Sequence, residues 1–87
     1  DVCSSILKEK LVACVHIIPK IESIYRWQGK IEEASECVLL VKTSERNVQK
    51  TIQKIRSLHS YKVPEIIVFP PVSGLKEYLD YIEAETA

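Results

Sequence analysis

The strongest constraint on this chain is the run Ile21–Trp27, IESIYRW, followed at once by the turn signal Gln28-Gly29-Lys30. Its strict two-residue alternation belongs to extended backbone, where successive side chains leave opposite faces. Ile21, Ser23, Tyr25 and Trp27 share one face, and Glu22, Ile24, Arg26 and Gln28 share the other. Gly29 tolerates the positive φ of a tight hairpin. The apolar run Glu36–Lys42, ECVLLVK, supplies the returning strand, so Ile21–Lys42 is expected to form one long β-hairpin. A lone hairpin is marginal in water. Tyr25 and Trp27, near its tip, either cap this chain's own core or meet a partner.

The rest of the chain says what the hairpin is built into. Asp1–Leu11 carries an apolar stripe of Val2, Ile6 and Leu7 with Cys3 and Leu11, and reads as the tail of an amphipathic helix. Val12–Ile18 is β-branched, apolar on both faces and closed by Pro19, which predicts a covered strand. Thr43 or Ser44 caps a helix over Glu45–His59, buried through Val48, Ile52, Ile55 and Leu58. Pro64 keeps Val63 out of helix. Glu65–Phe69 reads as a buried strand stopped by Pro70-Pro71, and Leu75–Glu85 as a last helix packed through Leu75, Tyr78, Leu79 and Ile82.

With one strand ahead of the first helix, this order becomes the split βαβ of ferredoxin-like α+β domains, with an antiparallel sheet and an extra C-terminal helix. The opening strand would be central, between the hairpin's second strand and Glu65–Phe69. The chain has no Met and opens on Asp1, so this strand is expected upstream of it. Residues 1–87 then form a single domain truncated at its N-terminus, of a size at which one apolar core is thin.

Charge narrows the partners. Twelve basic and twelve acidic residues cancel, leaving no global field to attract nucleic acid or an acidic membrane. Arg46, Lys50 and Lys54 form a basic helical ridge, with Arg56 and Lys62 nearby, but no interleaved aromatics or Gly-rich cradle accompany it. Such ridges are usually solvated. No apolar run approaches the roughly 20 residues of a membrane span. An odd count of three Cys at irregular spacing argues for free thiols in a reducing compartment, and the cytoplasm is expected.

Two groups of residues carry candidate chemistry. Cys14 and His16 are two apart on a predicted strand, so both point the same way and can share one soft or borderline metal ion. The bland alternative is a small buried hydrophobe at Cys14, as for Cys3 and Cys37. His59 ends a helix, where positive charge is favoured, and Tyr61, Lys62 and Glu65 follow it. With Lys42 these can converge on a cleft for a small anion or metal complex, or else form a helix cap and a Pro-stiffened loop. The stretch holds no nucleophile–base pair or paired carboxylates, so no enzyme is expected.

Several blocks together resemble the CutA divalent-cation-tolerance family: Leu11-Val-Ala-Cys-Val15, Ile18-Pro19, Ser23-Ile-Tyr-Arg-Trp-Gln-Gly-Lys-Ile-Glu32, Val41-Lys-Thr43 and His59-Ser-Tyr-Lys-Val-Pro-Glu-Ile66. The resemblance implies a ferredoxin-like subunit in a homotrimer, with hairpins reaching across to neighbours. It also implies a link to copper and other divalent metals, and an architecture like that of PII signalling proteins. Lys42, Tyr61 and Glu65 fall on motif positions matching polar residues of an inter-subunit cleft. Three functions follow: a metal-responsive homotrimer, a PII-like metabolite sensor, or an assembly module.

Overall fold

The computed structural model describes residues 1–60 and 63–87. Helix α1, Val2–Lys8, begins where the Asp1 carboxylate accepts the Ser4 backbone N–H at 3.0 Å. It stops short of the expected Leu11 because Lys10 turns left-handed, at φ 58°. That turn delivers Val12 beside Ile6, and these two are the fully buried hydrophobic side chains among the described residues.

The predicted strand Val12–Ile18 and the first arm of the hairpin are one element, β1, Cys14–Trp27. It pairs antiparallel with β2, Lys30–Lys42, across a turn in which Gln28 and Gly29 both have positive φ. Two such residues match the right-handed twist of the strands. Fourteen residues at ~3.3 Å each span about 46 Å, and the molecule's long axis is 45 Å. The hairpin therefore sets the length of the protein.

Pro19 does not end the strand. The pairing skips from Ile18–Val38 to Ile21–Glu36, a bulge that places Pro19 and Lys20 opposite Cys37. Proline has no N–H for the ladder and is tolerated at such a bulge. Lys20 takes up the extra residue at φ 58°.

A short 3-10 turn, Glu45–Asn47, leads into helix α2, Val48–Leu58. Ser44 stands at the N-cap of that turn, as expected of it or Thr43, but neither side chain makes a cap bond. Thr43 donates to the Leu11 carbonyl instead, and the Ser44 hydroxyl accepts from Thr86 at 2.9 Å. The predicted stripe of α2 is half-buried at Val48, Ile52 and Ile55, but Leu58 is exposed. Helix α3, Lys76–Glu85, departs further, since Leu75, Tyr78 and Leu79 of its expected inward face are all exposed. No element among the described residues covers them.

The segment expected as a strand, Glu65–Phe69, has no ladder partner among the described residues. A strand is defined by its neighbour's backbone, and here a cleft of about 2440 Å³ lies between this segment, β2 and α2. The sheet is accordingly two-stranded, flanked by helices, in an α+β ferredoxin-like arrangement with an added C-terminal helix. The basic ridge is partly neutralised: Arg46 pairs with Glu83 of α3, and Lys54 pairs with Glu9 at 2.9 Å. No helix among the described residues is long and apolar enough to cross a membrane.

Candidate thiol and imidazole site and the adjoining cleft

Alternation along β1 points Cys14 and His16 to one face, and the two side chains lean together. Cys14 Sγ lies 3.5 Å from His16 Nε2, much closer than the 6–7 Å backbone spacing of alternate strand residues. Cys14 is half-buried and His16 exposed, so the pair is open to solvent. Among the described residues no set of three His, Cys, Asp or Glu side chains is placed to hold a metal. The contact is a hydrogen bond between a thiol and an imidazole, a soft sulfur and a borderline nitrogen side by side. All three cysteines are free thiols.

Directly opposed residues share a face. Cys14 faces Lys42 and His16 faces Leu40, whereas beyond the bulge Tyr25 faces Glu32 and Trp27 faces Lys30. Because β2 runs without a shift, its even-numbered residues all lie on one side. The bulge thus brings Cys14 and His16 onto the same face as Tyr25 and Trp27, which regular pairing would have put on the opposite side. The two aromatics are 43% and 49% exposed, so they do not cap a core within this protomer.

Lys42 leans from beside Cys14 toward helix α3, its Nζ 6.0 Å from the centre of the Tyr78 ring. Tyr81, 5.7 Å from Tyr78 ring to ring, donates its hydroxyl to the Ala13 carbonyl at 3.3 Å. Helix α3 is so anchored one residue ahead of the thiol. Lys42 also lines the large cleft, together with His59 and Glu65. His59 ends α2, its backbone N–H donating to Ile55 at 2.9 Å. Tyr61 and Lys62 lie outside the described residues. The structure brings Lys42, His59 and Glu65 to one opening, and although Lys42 is the cross-strand partner of Cys14, neither Cys14 nor His16 lines that opening.

Sequence reasoning missed the polar knot that holds this end of the hairpin. Asn47, 8% exposed, donates its Nδ2 to the carbonyls of Thr86 at 2.9 Å, Leu11 at 3.3 Å and Lys10 at 3.4 Å. Thr86 adds bonds to Ser44 and to the Ile82 carbonyl. The available signal was an amide at the start of a helix that makes no local cap.

Residues 1–85 match the CutA1 divalent ion tolerance protein family. The chain belongs to the CutA family. It is 42% identical over 85 residues to the divalent-cation tolerance protein CutA of Thermus thermophilus, covering 98% of this chain and 82% of that one. A solved structure of the Thermus protein superposes with a TM-score of 0.95, over 99% of this chain and 84% of that chain. Human protein CutA is 38% identical over 86 residues, covering 99% of this chain. The chain spans 48% of the human protein's length. A structure described as the PII-like protein CutA from Nostoc matches with a TM-score of 0.90 and 34% identity, over 97% of this chain and 82% of that one.

Proposed function

We propose that this CutA-family chain is a non-catalytic, homotrimeric metal-responsive protein that binds copper or another divalent or soft metal ion through Cys14 and His16. The observation that carries the reading is the 3.5 Å approach of Cys14 Sγ to His16 Nε2 on an accessible strand face. Family membership supports it, since the relatives are named for divalent-cation tolerance. The trimer is supported by the exposure of Tyr25, Trp27 and the α3 stripe, apolar surface that no described residue covers. Around a threefold axis, copies of one residue can complete a shell that two donors leave open. Free thiols fit a reducing compartment, and we place the protein in the cytoplasm.

Calorimetric titration with copper or zinc ions tests the site. Replacing either donor, as Cys14→Ala or His16→Ala, is expected to lower affinity by at least about tenfold. Unchanged affinity in both variants would remove the pair from the proposal.

A second reading rests on the cleft that Lys42, His59 and Glu65 line together. A neighbouring subunit closing it would make a PII-like sensor of a small anionic metabolite. A metabolite that raises the melting temperature of this protein but not of Lys42→Ala would support that role. A flat response to both ions and metabolites would leave an assembly module.

A further inference from the structure

We draw no further inference here: the strongest candidate, the exposed apolar patch of Ile24 and Ile31 on the hairpin face opposite Tyr25 and Trp27, is an unpartnered surface, and nothing in the structure shows what covers it.

Discussion

Asn47 shows how much one side chain can organise. Its amide reaches the loop after α1 and the last turn of the chain, and so ties both to the start of α2. Removing it takes the donor from the buried Thr86 carbonyl, while the Leu11 carbonyl keeps the Thr43 hydroxyl, and such a loss costs about 1–3 kcal/mol when water cannot enter. Asn47→Ala is expected to lower stability by about 2 kcal/mol in urea unfolding, with no change in the far-ultraviolet spectrum at zero denaturant. A shift below about 0.5 kcal/mol would mean that water replaces the amide. In the sequence Asn47 is one polar residue ahead of an apolar stripe, and nothing local points to carbonyls 36 to 39 positions away. The Cys14 and His16 pair is the opposite case, because strand alternation alone puts both on one side. Only the lean that closes them to 3.5 Å needed coordinates.

Among the elements, the hairpin was the most legible and its bulge the least. Alternation and the Gln28-Gly29 turn locate the tip correctly, since both are local backbone effects. Pro19 reads as the end of a strand because proline cannot donate to a ladder. The strand continues because β2 offers pairing on both sides of the interruption, and the extra residue is absorbed where the missing donor costs little. The consequence reaches the candidate interface. Deleting Lys20 removes the extra residue and restores two-residue alternation, while the register with β2 keeps Tyr25 and Trp27 on the face of Cys14 and His16. Light scattering on that deletion is expected to show a trimer of unchanged mass, and loss of the trimer would show that the bend of the bulge, not the shared face alone, is needed. The basic ridge was legible as charge, but not the pairing of Lys54 with Glu9, just past α1, and of Arg46 with Glu83 of α3, both remote in sequence.

At the scale of the whole molecule, apolar surface outweighs core. Ile6 and Val12 are the fully buried hydrophobics, while Ile24, Trp27, Leu40, Phe69 and Leu75 stay substantially exposed among the described residues. Patches of this extent mark contact with other surfaces. The assembly proposed above would bury part of this surface, and Trp27 has the size and position of an anchor for it. Trp27→Ala is expected to raise the concentration for half-dissociation by at least about thirtyfold in sedimentation velocity, the effect of losing about 2 kcal/mol at an anchor residue. A folded wild-type monomer at micromolar concentration would contradict the shared surface at its root.

By itself the sequence determined what backbone chemistry decides nearby: the hairpin, its turn, the three helices and the direction in which the thiol and imidazole point. Period, turn residues and the apolar stripes act over a few residues, so they can be read one residue after another. Tertiary structure decided what depends on a distant neighbour. It turned Pro19 into a bulge, bonded Asn47 to carbonyls far along the chain and, among the described residues, left Glu65–Phe69 without a ladder and Leu75, Tyr78 and Leu79 exposed. Each of these outcomes is set by which surface lies opposite, a relation that sequence spacing does not contain.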